Sequence, residues 1–205
     1  MKKIQPPKLI TVCFDLDQTL IARVREDIVS YVCSRGFSYD HVFGIYLTIA
    51  DTQFTPQKFA RALGLSPRET KALVEYTYLL FTNMQYVYPG AKELLAKLQK
   101  DAILFLVTYG DRKYQLAKVK SFGFEAYFSK IIVTPHAGKR EISLQLAKQT
   151  NGKFVMIDDS RTVENTMREL SLPFIKVKKS WKDPAYFKRL YIRIKKEIAL
   201  LQKSS

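Results

Sequence analysis

Five short runs of β-branched and aromatic residues punctuate the chain, at 9–14, 103–107, 131–133, 154–157 and 174–177. None alternates apolar with polar positions, which is how strands covered on both faces read. Between the last four runs lie helical stretches at 112–121, 140–150 and 160–170. Strand and helix in regular succession predict an α/β fold: a Rossmann-like, three-layer parallel β-sheet with right-handed crossovers.

The interval 15–102 breaks that rhythm. Its last part, PGAKELLAKLQK from Pro89, reads as a helix returning to the sheet. Pro89 and Gly90 suit its start, and Leu94, Leu95 and Leu98 give its apolar face. The remainder, about 20–88, reads as helices only. Ser66-Pro67-Arg68-Glu69 has the form of a capping box with proline at the first helical position. Leu73, Tyr76, Leu80 and Met84 then recur at helical spacing. Thr55-Pro56 opens another helix, which Gly64 closes. Roughly four helices are expected here, forming an inserted all-helical cap domain over 20–88. The α/β core domain is then assembled from 1–19 and 89–205. After Asp183-Pro184, read as a cap and first position, Phe187, Leu190, Tyr191, Ile194, Ile198 and Leu201 fall on one stripe. Lys188, Arg189, Arg193, Lys195 and Lys196 cover the other side, so the chain is expected to end in an amphipathic helix with a basic outer face.

Composition narrows the function classes. Apolar residues make up 47% of the 205, enough for a packed core and too many for a disordered chain. No apolar run approaches the ~18 residues of a membrane span. The apolar stretch after Pro6 and Pro7 is shorter than the ~7–15 residues of a signal-peptide core, so a cytoplasmic location is expected, without membrane association. Cys13 and Cys33 read as buried thiols of a reducing compartment rather than as a disulfide. The charge is +15, from 34 Lys and Arg against 19 Asp and Glu. Residues 176–205 alone hold 10 basic and 2 acidic side chains, a net +8.

The chemistry is concentrated at the ends of the apolar runs. The first ends in Phe14-Asp15-Leu16-Asp17-Gln18-Thr19 and the fourth in Ile157-Asp158-Asp159-Ser160. The second ends in Val107-Thr108-Tyr109-Gly110, and after the third comes Gly138-Lys139-Arg140, with Lys139 opening a helix. The C-terminal edge of an open parallel sheet is where ligands bind. Paired carboxylates there repel one another, and a divalent cation is their natural compensator. Acids for a hard cation, beside a lysine and a threonine for an anion, suit a phosphoryl group bridged to Mg²⁺.

Asp15-Leu16-Asp17-Gln18-Thr19, Thr108, Lys139 and Asp158-Asp159, each behind a strand signal and in this order, resemble the four motifs of the haloacid dehalogenase superfamily. The resemblance covers residues 9 to about 177, and the insertion after the first motif looks like that family's helical cap of the C1 type. It implies Asp15 as a nucleophile that forms an aspartyl phosphate. Asp17 would be general acid to the leaving alcohol and then general base to water. Thr108 and Lys139 would hold the phosphoryl oxygens, with Tyr109 and Gly110 beside them. Mg²⁺ would be bound by the Asp15 carboxylate, the Asp17 backbone carbonyl and a fourth-motif acid, Asp159 directly and Asp158 through water. Family members that cleave carbon–halogen bonds lack the second acid of the first motif, so Asp17 points to phosphate-ester chemistry. The expected function is a Mg²⁺-dependent phosphatase acting on a small phosphate monoester.

The basic tail supports an alternative from another class, a nucleic-acid-associated phosphatase or a nucleic-acid-binding protein. The cap interval carries a net charge of only +1, which speaks against a nucleic-acid clamp there. A phosphomutase shares Asp15 and Asp17, but nothing in the sequence marks a sugar site. His136 reads as a loop histidine and Cys13 as a strand-core thiol. Of the 12 aromatic residues in 20–88, most are expected in a helical core and one or two against a substrate.

Overall fold

Alternate residues of the central strands go to opposite faces of one sheet, and each face is covered. The computed structural model describes residues 10–178, 183 and 185–203. Five strands, β1 (Ile10–Phe14), β2 (Ala102–Tyr109), β3 (Lys130–Thr134), β4 (Phe154–Asp158) and β5 (Phe174–Lys176), pair in parallel in the order β3-β2-β1-β4-β5. On one face Ile10, Val12, Phe14, Leu104, Leu106, Val155 and Ile157 join a large core cluster. On the other, Cys13, Val107, Phe154 and Met156 join a smaller one with Leu146, Val163 and Met167. Every residue of β1 and β4 is buried, which accounts for their unbroken apolar sequences.

Nine α-helices occur among the described residues. Four lie between β1 and β2 in the predicted insertion: α1 (Arg25–Cys33), α2 (Tyr39–Ala50), α3 (Pro56–Ala62) and α4 (Pro67–Leu80). The others are α5 (Ala91–Leu98), α6 (Arg112–Ser121), α7 (Arg140–Thr150), α8 (Arg161–Glu169) and α9 (Tyr186–Lys203). The Leu94, Val119 and Leu190 side chains place α5, α6 and α9 on the first face; those of Leu146 and Val163 place α7 and α8 on the second. The result is a three-layer sandwich. None of the described helices is long and apolar enough to cross a membrane.

Local chemistry sets the boundaries. The Thr55 hydroxyl accepts from Lys58 N–H at 3.1 Å and opens α3, and Gly64 follows it at φ +68°. Ser66 and Glu69 close a reciprocal capping box at α4, with bonds of 3.3 and 2.8 Å. Leu73 and Leu80 face the core as their spacing predicts. Met84 does not continue that stripe: α4 stops at Leu80, and Met84 opens a short 3₁₀ turn with its side chain exposed. On α9, Phe187, Leu190, Ile194 and Ile198 are buried, while Lys188, Arg189, Arg193 and Lys196 are exposed. That helix starts at Tyr186, later than its predicted cap; Asp183 sits outside it and accepts from Ala185 N–H, and Pro184 lies outside the described residues.

The insertion does not stand apart. Phe54 and Phe81 pack on Tyr114 of α6 at centroid distances of 5.4 and 5.3 Å, and Phe81 also meets Phe122 at 6.0 Å. Its apolar residues, Ile28, Val42, Phe59 and Leu73 among them, belong to the same continuous cluster as the first face of the sheet. Two polar links join it to the strand ends: the Tyr109 hydroxyl donates to Asp51 C=O at 3.0 Å, and the Gln53 amide donates to Pro135 C=O at 3.4 Å.

Candidate active site

The strand order reverses between β1 and β4: the chain leaves β1 toward β2 and β3, then returns to the other side for β4 and β5. Such a switch point opens a crevice at the C-terminal strand edge. Asp15 is the first residue past β1, and Asp158 is the last residue of β4. A backbone bond from Asp15 N–H to Ile157 C=O, 2.9 Å long, locks the two ends together.

Asp15, Asp158 and Asp159 each turn a carboxylate oxygen to one spot, all within 4.8 Å of one another. Lys139 reaches them from the start of α7. Its Nζ donates to Asp15 Oδ1 at 2.6 Å, to Asp158 Oδ2 at 2.7 Å and to Val107 C=O at 2.6 Å. It is 2% exposed, so this ammonium exists only because its partners satisfy it. To make that reach Lys139 adopts a left-handed backbone, φ +54°, uncommon for a residue with a side chain. Gln18, between the first-motif acids and Thr19, is left-handed too, at φ +61°. Strained conformers of this kind concentrate at functional sites.

Burial pushes the Asp15 carboxyl up to about 8, although the Lys139 ammonium pulls it down; Asp158 and Asp17 add to the rise. Burial also works against the charge on Lys139, but Asp15 and Asp158 outweigh it and hold the ammonium above its ordinary range. The second oxygen of Asp158 accepts from Ser160 N–H at 2.8 Å, so both of its oxygens are engaged. Three carboxyl groups share one ammonium, and an all-oxygen donor set fits a hard divalent cation.

Asp17 takes a different position. Its carboxylate is outside the Asp15–Asp158–Asp159 cluster and is held by Lys118, whose Nζ donates to Oδ2, and by the Gln115 amide at 3.4 Å. Lys118 is 2% exposed and lies 5.2 Å from the centre of the Tyr114 ring. Gln115 Nε2 also donates to Tyr109 C=O at 2.8 Å. Gly110, at φ +138°, gives it room: a Cβ there would meet Gln115 Nε2 at 2.8 Å. Thr108 is buried on the pocket wall, and Tyr109 lines the same pocket while bonded to the insertion.

These groups surround a cavity of about 400 Å³. Asp15, Asp17, Thr108, Tyr109, Gly110, Lys139, Asp158 and Asp159 all line it. From the insertion Arg23, Arg25, Tyr46, Leu47 and Phe54 complete the wall, so Tyr46 and Phe54 are the aromatic residues of 20–88 that reach the cavity. His136 does not take part. It is exposed in the loop before Lys139, with Nε2 3.7 Å from Glu141. Gln115 and Lys118 belong to no sequence motif. Their signal lies in spacing: Gln115, Lys118, Val119 and Phe122 follow the i, i+3, i+4, i+7 pattern of a buried helix face, and two of the four are polar.

Comparisons agree with this geometry. A family model described as haloacid dehalogenase-like hydrolase matches residues 11–163. No curated protein matches the chain. Among solved structures, a haloacid dehalogenase-like family hydrolase from Xanthomonas campestris is 16% identical, with 97% of this chain and 95% of that one covered and a TM-score of 0.69. A family enzyme from Bacteroides thetaiotaomicron, solved in complex with magnesium and inorganic phosphate, is 20% identical, with coverage of 83% and 95% and a TM-score of 0.58. The L-2-haloacid dehalogenase from Xanthobacter autotrophicus, with chloropropionic acid covalently bound, is 13% identical, with coverage of 82% and 77% and a TM-score of 0.60. The similarity thus spans both phosphate-bound and dehalogenating relatives. By its matched sequence, its sheet and the acids on its strand tips, the chain belongs to the haloacid dehalogenase-like hydrolase family.

Proposed function

We propose that this hydrolase is a Mg²⁺-dependent phosphatase that removes phosphate from a small monoester through an aspartyl phosphate on Asp15. One observation carries the reading. The two first-motif acids are separated in role: Asp15 sits in the carboxylate cluster with Lys139, while Asp17 stands outside it, in the same pocket, on its own cationic support. A halide leaves without a proton, whereas an alkoxide needs one, so a second acid beside the nucleophile suits phosphate esters.

Asp15 attacks phosphorus, and the bond from phosphorus to the ester oxygen breaks as that oxygen takes a proton from Asp17. Water then attacks the phosphorus of the aspartyl phosphate, Asp17 takes its proton, and the bond to Asp15 breaks to release phosphate. Thr108 holds a phosphoryl oxygen, and the Lys139 ammonium, bonded to Asp15, Asp158 and Val107 C=O, offsets the charge that builds there. The cation would be held by the Asp15 carboxylate, the Asp17 backbone carbonyl and Asp159. Asp158, whose oxygens already serve Lys139 and Ser160, would act through water. Bound there, Mg²⁺ would supply charge neutralisation for a phosphoryl group and would favour the ionised form of Asp15. The magnesium and phosphate in the Bacteroides relative support this assignment.

The test is phosphate release from a panel of small phosphate esters with Mg²⁺. Activity should disappear with EDTA, return with Mg²⁺, and fall by orders of magnitude in Asp15→Asn, whose amide is no nucleophile. Undiminished turnover by Asp15→Asn would overturn the mechanism, and undiminished turnover in EDTA would overturn the metal assignment.

A further inference from the structure

Resting on the phosphatase reading, we propose that Lys118 is a positioning residue for the Asp17 general acid, with Gln115 as its second support. A lysine only 2% exposed is costly unless its charge is met, and its one ionic partner among the described residues is the Asp17 carboxylate, 101 positions away in sequence. Lysine and amide both fall on Oδ2. Oδ1 is left without a hydrogen bond among the described residues and is the oxygen that exchanges the proton with ester oxygen and water.

The support is built rather than incidental. Gln115 is fixed by its bond to Tyr109 C=O, and Gly110 lacks the Cβ that would collide with it. The Tyr114 ring flanks Lys118 on one side. Asp17 itself is on a turn beside the left-handed Gln18, without a regular element to hold its side chain. The α6 face therefore does for Asp17 what Lys139 does for Asp15: it fixes a carboxylate that would otherwise sample several rotamers.

Leaving-group dependence separates positioning from scaffolding. Proton donation matters for phenolate, whose conjugate acid resembles tyrosine near pKa ~10, and much less for the better leaving group p-nitrophenolate. General-acid assistance contributes about 10²–10⁴-fold where it is needed. Lys118→Met should lower kcat/KM for phenyl phosphate by roughly 100-fold while lowering it for p-nitrophenyl phosphate only several-fold, with Lys118→Arg recovering part of the loss. Gln115→Met, which leaves the ion pair intact, should show the same skew more weakly; it carries the test if Lys118→Met does not fold. An equal loss on both esters in every folded variant would reduce Lys118 to a structural residue and overturn the proposal. If the wild type hydrolyses neither ester nor any member of the panel, the phosphatase reading itself falls, and this inference with it.

Discussion

Cys13 lies on β1, two residues before Asp15, but faces away from the site. Its side chain is sealed in the second-face cluster with Val107, Phe154 and Met156, and burial pushes its thiol up to about 12 from 9.0. The sign of the consequence follows. Below pH 9 the thiol is protonated whether the chain is folded or not. Between 9 and 12 only the unfolded chain releases that proton, so this thiol costs stability progressively as pH rises through that window. Iodoacetamide at pH 8 should modify half-buried Cys33 and leave Cys13 untouched until denaturant is added, as read by mass spectrometry. Rapid labelling of Cys13 in the folded protein would contradict its burial. At this scale the sequence is legible wherever chemistry restricts residue type: two acids after an apolar strand, and a lysine and a threonine at other strand tips. Lys118 was hidden because a lysine on a helix normally faces water, and only its partner, far away in sequence, makes burial tolerable.

Elements were legible where burial on both sides wrote a continuous apolar run, as in β1 and β4. Their ends were less so. β2 runs on to Tyr109, beyond its apolar stretch, because Thr108 and Tyr109 still pair with β3. Helix periodicity carried the α4 stripe on to Met84, but the chain turns after Leu80 to bring Tyr86 and Tyr88 back toward β1, where Tyr88 N–H bonds Leu20 C=O at 3.0 Å. Gly90, read as a suitable helix start, proves to be a packing requirement. Its φ is +85°, and a Cβ there would meet Phe187 Cβ of α9 at 3.3 Å. Gly90→Ala therefore combines backbone strain of ~1–2 kcal/mol with a tight contact that Phe187 must relieve by a small shift. Thermal unfolding should shift down by several degrees for a loss of that size. An unchanged melting temperature would contradict both the left-handed backbone at Gly90 and its close contact with Phe187. The basic face of α9 also does structural work: Lys195 Nζ pairs with Asp101 at 3.0 Å, and Arg193 donates to Lys176 C=O at 3.4 Å.

At the scale of the molecule, the insertion and the strand tips share the walls of one pocket. The insertion contributes Arg23, Tyr46, Leu47 and Phe54 to the wall and is fastened to the sheet edge through Asp51 and Gln53. A sequence reading finds the four helices but not this fastening, because contacts between a loop near residue 52 and strand ends beyond residue 108 leave no local pattern. The cavity volume of about 400 Å³ is near the lower end of the ~300–1,000 Å³ typical of small-molecule pockets. On the phosphatase reading, a cavity of that size takes a small phosphorylated substrate in preference to a duplex. Small esters should therefore be hydrolysed with kcat/KM at least about 10²-fold above that of a 5′-phosphorylated duplex oligonucleotide, since a substrate held outside the wall loses the positioning that catalysis needs. The competing reading, in which the +15 chain acts on nucleic acid, predicts the reverse order and a steep fall of activity with salt. Leu47→Ala discriminates further. Leu47 is 44% exposed, so trimming it costs little stability while it widens the mouth. Bulkier aryl phosphates should gain on p-nitrophenyl phosphate in this variant, and the oligonucleotide should still be refused. Cleavage of the duplex at rates comparable to small esters, by wild type or variant, would show that the insertion does not govern access.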